Sequence, residues 1–279
     1  MSASDSSRTE SVQERRLDRI ATEKSAIKRA LGEPIAPPEV DDDSEVRREK
    51  EEARTRQRSD RERQIKRYQV ASMAYLGAML RNTDAVTAVW ERIVDKWLEG
   101  KLSSYDESRS FRTYLKTVLR NEVFAYGREQ SNEAANGPMR MESGYDQPDA
   151  LEATASEAFD RKLQDTIIER ALESVRKEDT LYYETLKLMM NAVASERKTP
   201  KSKELAAFLS GVGGTTISED NARQIKKRAR QMFSRKIIEQ MGLFVESQSL
   251  SKIEKALRDW NLLAYCEKAL RDMRGDDSR

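Results

Sequence analysis

Apolar residues recur every three or four positions in two blocks of this chain, residues 64–130 and 161–242, and this periodicity constrains the fold more than any other feature. The spacing is that of helices with one apolar and one polar face. No segment alternates apolar and polar residues as a half-buried strand does. The sequence therefore predicts an all-α protein with two small helical domains.

The segments around the two blocks have a different composition. Residues 1–60 contain 28 charged side chains and no aromatic one, too little apolar surface to offset the entropy lost on ordering. We expect residues 1–63 to form a charged extension that is disordered or partly helical. Residues 131–160 hold seven acids with glycines and prolines, which predicts a flexible acidic linker. Residues 243–279 are predicted to form a helical C-terminal extension.

The composition excludes several functional classes. The chain has no histidine and a single cysteine, Cys266, so histidine-based catalysis, histidine or multi-thiolate metal sites and an internal disulfide are excluded. The segment GVGG lacks the Lys-Ser/Thr pair of a phosphate-binding loop. No apolar run approaches the roughly 20 residues that span a bilayer, and the N-terminus does not look like a signal peptide. We expect a cytoplasmic protein without membrane contact, metal, cofactor or catalytic activity.

The first block contains a helix with a basic face. The stretch DAVTAVWERIVDKWL, residues 84–98, is strongly amphipathic, and the loop 101–110 separates it from a second helix over residues 111–129. That second helix has cations on one face, at Arg112, Lys116, Arg120 and Arg128. Cations bind phosphates and nearby tyrosines stack on unpaired bases, so this face could hold a separated DNA strand. A solvated face of an ordinary bundle is the other interpretation.

The second block has the layout of a helix-turn-helix. A short helix, SKELAAFL, precedes a glycine-rich turn, and Ser218 then caps a helix that carries seven cations and no acid between Asn221 and Ile238. Arginine and glutamine side chains at the start of such a helix can read guanine and adenine in the major groove. The alternative is a charged surface helix, but so many uncompensated cations favour a polyanionic partner.

Both blocks resemble one family. The string DNARQIKKRARQMF is similar to the promoter-reading helix of bacterial RNA polymerase sigma factors. DAVTAVWE and YDESRSFRTYLKTVLRN stand where region two of that family has its core-binding and strand-binding motifs. Region two, then a linker, then region four without a middle domain is the order of the extracytoplasmic-function type. The resemblance implies a region-two-like bundle and a region-four-like helix-turn-helix domain.

The resemblance also implies a role for particular residues. Contacts to the −35 duplex would come from Asp220, Asn221, Arg223, Gln224, Lys227 and Arg228. The melted −10 strand would be held by Arg109, Arg112, Tyr114, Lys116, Arg120 and Asn121. Core RNA polymerase would be bound by Thr87, Trp90, Glu91 and Val94. The partners implied are core polymerase and promoter DNA, with an anti-sigma factor as a further partner that the family allows.

Two features depart from the family pattern. Thr87 and Trp90 replace an acid and a glutamine on the core-binding helix, and Trp90 lies on the apolar stripe, where a core position is favoured. The turn over residues 210–216 is longer than in sigma factors.

Several interpretations stay open from sequence. The acidic linker is either a nucleic-acid mimic in a channel of the polymerase or a solvated tether. The C-terminal extension either packs on the second block or docks a partner, and Cys266 is read as a small buried residue. For the whole chain, the alternatives to a sigma factor are a helix-turn-helix regulator acting without polymerase and a polymerase-binding adaptor.

Overall fold

The structure is a computed structural model that describes residues 30, 35–37, 39, 43–102, 110–135, 148–245 and 249–275. Within these ranges 84% of the residues are helical and none lies in a strand, which confirms the predicted all-α class. The helices are α1 (Ser44–Met79), α2 (Thr83–Leu98), α3 (Phe111–Ala135), α4 (Pro148–Glu178), α5 (Thr180–Ala194), α6 (Ser202–Gly213), α7 (Glu219–Gly242), α8 (Leu250–Asp259) and α9 (Leu263–Gly275).

The chain divides into two compact units, with the boundary between Leu163 and Gln164. In the first unit α1, α2 and α3 pack around an apolar core. The Phe111 ring at the start of α3 makes edge contacts with Tyr68 of α1 and Trp97 of α2, at centroid distances of 5.1 and 5.2 Å. All three rings are buried. These contacts fix the start of α3 against the other two helices.

Helix α1 begins at Ser44, inside the segment that we expected to be a charged extension, disordered or partly helical. The Asp43 carboxylate caps the helix by accepting hydrogen bonds from the backbone N–H groups of Glu45 and Val46, at 2.9 and 3.2 Å. Residues 1–29 lie outside the described ranges.

The buried face of this part of α1 is polar, which explains why apolar periodicity did not reveal it. Its side chains are between 3% and 6% exposed at Gln57, Asp60, Arg61, Gln64 and Arg67. The Arg61 guanidinium donates to the backbone carbonyls of Ala30 (3.0 Å) and Leu98 (3.2 Å). The buried guanidinium of Arg61 is tolerated because it is hydrogen-bonded, whereas Gln64 Nε2 has no hydrogen-bond partner among the described residues.

The segment predicted as a flexible acidic linker is also partly helical. Helix α3 continues to Ala135 and α4 begins at Pro148, and residues 136–147 lie outside the described ranges. Within α4, Ala155, Phe159 and Leu163 are at most 1% exposed and four residues apart. The acids dominated the composition of the segment and concealed this apolar stripe, so residues 131–135 and 148–160 are helical where we expected a tether.

The second unit is built on α7. Helices α5, α6, α8 and α9 all pack against it. The Ser234 hydroxyl of α7 donates to the Tyr265 carbonyl at 2.5 Å, and Phe244 meets Trp260 edge-on at a centroid distance of 5.9 Å. The C-terminal extension thus packs on the second block, which is one of the two arrangements considered from sequence.

Cys266 is fully buried on α9, with its Sγ atom 3.7 Å from the Ser234 carbonyl. Burial raises the pKa of its thiol to about 12, so the side chain is a neutral packing residue at physiological pH. As for membranes, no helix within the described ranges is both long enough and apolar enough to cross one.

Candidate nucleic-acid interface

Helices α5, α6 and α7 share a compact apolar cluster that positions the first turns of α7. Its buried members are Leu205, Ala206, Leu209, Ile217, Ala222 and Ile225. Leu181, Tyr182, Leu188 and Phe208 pack against them. Because Ala222 and Ile225 point into this cluster, the opposite side of α7 is turned to solvent.

The connection between α6 and α7 is short and held by hydrogen bonds. Helix α6 runs on to Gly213, beyond the Leu209 end that we predicted, so that the connection spans only residues 214–218. Gly214 ends α6 with φ of +66°, a left-handed conformation that glycine adopts without strain. The Ile217 N–H donates to the Ser210 hydroxyl at 2.8 Å, and the Ser218 hydroxyl accepts from the Asn221 N–H at 3.2 Å.

The residues predicted to contact the −35 duplex lie together on one exposed face at the start of α7. All are exposed: Asp220, Asn221, Arg223, Gln224, Lys227 and Arg228. Arg223 is held in place, since its Nη1 bonds to Asp220 at 2.8 Å and its Nε bonds to the Ser202 hydroxyl of α6 at 3.2 Å. Its guanidinium is therefore oriented before any ligand binds.

Other cations on this face have no acidic partner. Lys227, Arg228 and Arg230 are exposed and make no ion pair with any residue that the structure describes. Lys226 is half-buried and donates to the Pro200 carbonyl at 3.4 Å. Burial, with added repulsion from Arg230, lowers the pKa of Lys226. The three exposed cations are the groups most open to an incoming phosphate.

Sequence reasoning missed the basic residues that precede and begin α6. Lys198, Lys201 and Lys203 are exposed. They flank Pro200 and Ser202, which contact Lys226 and Arg223 respectively, so these lysines extend the positive surface of α7. The run ERKTPKSKE was the available signal, but its position beside α7 depends on the packing of α6.

The predicted −10 residues of α3 are in a different situation. Arg112, Lys116 and Arg120 are four residues apart, and all three make ion pairs with acids of α4. The Lys116 ammonium also donates to the Ser156 hydroxyl at 2.7 Å. Burial lowers the pKa of Lys116, and its bond to Asp160 opposes that effect. Asn121 is exposed; Arg109 lies outside the described residues.

Tyr114 is tied to the backbone that leads into α3. Its hydroxyl donates to the Leu102 carbonyl at 2.7 Å, and its ring lies 5.9 Å from that of Phe111. Burial raises the pKa of Tyr114. The ring is half-buried, so it is less open for base stacking than the sequence suggested.

The residues predicted to bind polymerase divide between surface and core. Thr87 and Glu91 are exposed on α2, and Val94 is half-buried. Trp90 is only 9% exposed and, with Gln64 and Trp97, lines a small internal space between α1, α2 and α3. Trp90 is therefore a core residue, as its place on the apolar stripe favoured.

Two ion pairs join α2 to α3 beside this surface. Arg92 makes a bidentate pair with Glu129, both distances being 2.7 Å, and Lys96 pairs with Glu122 at 2.5 Å. The bond from Arg92 lowers the pKa of Glu129. These pairs neutralise cations of α2 and leave an acidic outer face that includes Asp84, Glu91 and Asp95.

Within the described ranges no group of three or more histidine, cysteine or acidic residues could hold a metal ion. Comparison with known proteins gives no relative: no family model, no curated protein and no solved structure matches the chain.

Proposed function

We propose that this chain is a sigma-type factor that directs bacterial RNA polymerase to specific promoters. In this proposal α7 reads the −35 duplex, α3 holds the melted −10 strand, and the outer face of α2 docks on core polymerase. The chain supplies binding and specificity, while the polymerase supplies the chemistry.

The observation that carries the proposal is the presentation of α7. A helix-turn-helix reads DNA when its second helix exposes polar side chains near its N-terminus and is supported from behind by the preceding helices. Here α5 and α6 support α7 through the apolar cluster around Leu205, Leu209 and Ile225. Gln224 and Arg228 are exposed one turn apart on the same face, where glutamine suits adenine and arginine suits guanine.

Promoter opening would follow from selective binding. A protein that binds unpaired bases better than paired ones shifts the equilibrium toward melted DNA by its difference in affinity for the two states. The cations of α3 provide phosphate contacts for such a strand, while α7 fixes the register on the neighbouring duplex.

One observation favours a second candidate, a helix-turn-helix regulator that acts without polymerase. Arg112, Lys116 and Arg120 are already paired with acids of α4, whereas Lys227, Arg228 and Arg230 are not paired within the described structure. A regulator would need only the surface of α7.

Run-off transcription with purified core polymerase and a promoter library tests the proposal. We expect start sites that require this chain. We expect Gln224→Ala and Arg228→Ala to weaken these starts by about 10-fold or more, because each good side-chain contact to a base contributes about 1–3 kcal/mol. Arg235→Ala is the matched control, since Arg235 is an exposed cation more than one turn further along α7.

The alternatives give different results. A regulator would protect duplex DNA from nuclease in the absence of core polymerase. An adaptor would co-purify with polymerase and leave the choice of start site unchanged. Either result, without new start sites, would reject the sigma-type proposal.

A further inference from the structure

The basic face of α3 is covered by the acidic face of α4 in the first unit. Arg112 and Lys116 both bind the Asp160 carboxylate, at 2.9 and 2.7 Å. One turn further along α3, Lys116 donates to Ser156 at 2.7 Å, and the next cation, Arg120, binds Glu152 at 3.2 Å. The two helices thus pair in antiparallel order, with contacts at four-residue intervals on each.

Buried apolar side chains of α4 lie beside this contact. Ala155 and Phe159 lie between the acids on α4 and are fully buried. The Lys116 ammonium lies 5.3 Å from the centroid of the Phe159 ring, within the range of a cation–π interaction. The side chains that form these ion pairs between α3 and α4 are only partly exposed, from 16% for Lys116 to 41% for Arg120. Glu152 and Asp160 therefore stand on an ordered helix.

The groups on α4 resemble those of a nucleic-acid strand chemically. A phosphate and a carboxylate are both anions that accept hydrogen bonds from guanidinium and ammonium groups, and arginine binds either one with two N–H donors. A strand that used Arg112, Lys116 and Arg120 would have to displace Asp160 and Glu152. Displacing these carboxylates lowers the affinity of the strand for α3. It also reduces the number of counterions that are released when the strand binds.

We propose that the N-terminal half of α4 is an autoinhibitory mimic of a DNA strand, which occupies the strand-binding face of α3 until single-stranded DNA displaces its carboxylates. This inference rests on the proposed role of α3 in holding the −10 strand. It assigns the acidic segment a partner within its own chain, and that partner is the basic face of α3.

Removal of the two carboxylates tests the inference. In the full-length chain, Glu152→Gln with Asp160→Asn keeps hydrogen-bonding side chains and removes both charges. We expect a fluorescent oligothymidine to bind this variant about 10-fold more tightly than the wild type at low salt. The slope of log affinity against log salt should also become steeper, by about 0.7 for each cation that now releases a counterion to the single strand.

The matched control is Glu157→Gln with Glu169→Gln, which removes the same net charge at two exposed positions of α4 that make no ion pair with described residues. It should leave both the affinity and the slope close to those of the wild type. Thermal unfolding by circular dichroism checks that each variant is folded. The single variant Glu152→Gln, which frees Arg120 alone, should give a smaller rise in affinity.

Failure of the inference is distinguishable from failure of the proposed function. If Arg120→Gln weakens oligothymidine binding while the Glu152 and Asp160 variant binds like the wild type, α3 holds the strand and the autoinhibition is rejected. If Arg120→Gln binds as tightly as the wild type, or no form of the chain binds the oligonucleotide, strand binding by α3 is rejected together with the inference.

Discussion

At the scale of single residues, two tyrosines of the first unit differ in what their hydroxyl groups contact. The Tyr114 hydroxyl donates to the Leu102 carbonyl. The Tyr75 side chain is 1% exposed, and its hydroxyl has no hydrogen-bond partner among the described residues. A buried hydroxyl without a partner costs stability, whereas a bonded one contributes to it.

Because only one of the two hydroxyl groups is hydrogen-bonded, replacing each tyrosine by phenylalanine should have opposite effects on stability. Tyr75→Phe should leave the free energy of unfolding unchanged or raise it by up to about 1 kcal/mol, and Tyr114→Phe should lower it by about 1 kcal/mol. Urea unfolding at pH 7 measures both changes. A loss of stability in Tyr75→Phe as large as that in Tyr114→Phe would contradict this account.

The same burial makes stability depend on alkaline pH. Burial, strengthened by the charge of Glu152, raises the pKa of Tyr75 from 10.0 to about 12. Below about pH 10, Tyr75 holds its proton in both the folded and the unfolded state. The free energy of unfolding falls as the pH rises from about 10 toward 12, because the unfolded chain ionises first. Tyr75→Phe should flatten this alkaline decline, and Cys266 contributes a decline in the same direction.

Sequence reasoning predicted the exposure of side chains correctly where exposure follows from helical position. The six residues predicted on α7 are exposed because Ala222 and Ile225 define the inner side of that helix. It could not foresee that Arg112 meets Asp160 and that Lys116 meets Ser156, which lie 48 and 40 positions further along the chain. Pairing across such distances depends on how the helices pack.

At the scale of elements, the turn before α7 depends on one glycine. Gly214 has a positive φ, which disfavours every other residue. Gly211 lies inside α6, and a Cβ atom there would meet nothing within 4 Å. The backbone at residue 214 therefore requires glycine, whereas residue 211 can carry a larger side chain, although the two positions lie within one helical turn.

We expect Gly214→Ala to destabilise the protein by about 1–2 kcal/mol because the left-handed conformation strains alanine. Gly211→Ala should stabilise it by about 0.5–1 kcal/mol because alanine favours the helix. Thermal or urea unfolding of the two variants gives the comparison. Equal effects of the two changes would show that the backbone of residue 214 does not limit stability.

Helix boundaries followed from sequence where apolar stripes are regular, as in α2 and α7. No helix start was predicted for α1, which buries a polar face around Arg61 and Gln64, or for α4, whose stripe from Ala155 to Leu163 is hidden among acids. Apolar periodicity detects helices that bury apolar side chains. It misses helices whose buried face is polar, and helices in which charged residues of the exposed face outnumber the apolar ones.

At the scale of the whole molecule, charge is segregated although it nearly cancels. The formal net charge is +2, which by itself gives little attraction to DNA. Acids of α4 neutralise Arg112, Lys116 and Arg120 of α3, whereas Lys227, Arg228 and Arg230 of α7 make no ion pair in the described structure. Local charge should therefore decide binding to duplex DNA.

Two triple variants with the same net charge test this. Lys227→Gln, Arg228→Gln and Arg230→Gln together should reduce the salt dependence of duplex binding by about 0.9 in log–log slope for each phosphate that is no longer neutralised. Lys252→Gln, Lys255→Gln and Arg258→Gln change exposed residues of α8 and should change the slope little. Fluorescence anisotropy over a range of salt measures both. Similar slopes for the two variants would indicate that net charge controls binding.

The all-α class followed from sequence because the helical blocks carry apolar residues at helical spacing. Their boundaries did not, because charged helices at the edges of the blocks take part in the packing. Lys198, Lys201 and Lys203 could be assigned to the positive surface only after the contacts of Pro200 and Ser202 with α7 were known.

The burial of Cys266 gives this chain a natural reporter of local opening. A thiol enclosed between α7 and α9 cannot reach a water-soluble disulfide reagent until those helices separate. Since the chain has no other cysteine, every modification event records one separation, and its rate measures how often the helices packed against α7 open. Slower labelling in the presence of a ligand would report that the ligand tightens this packing, without any engineered probe.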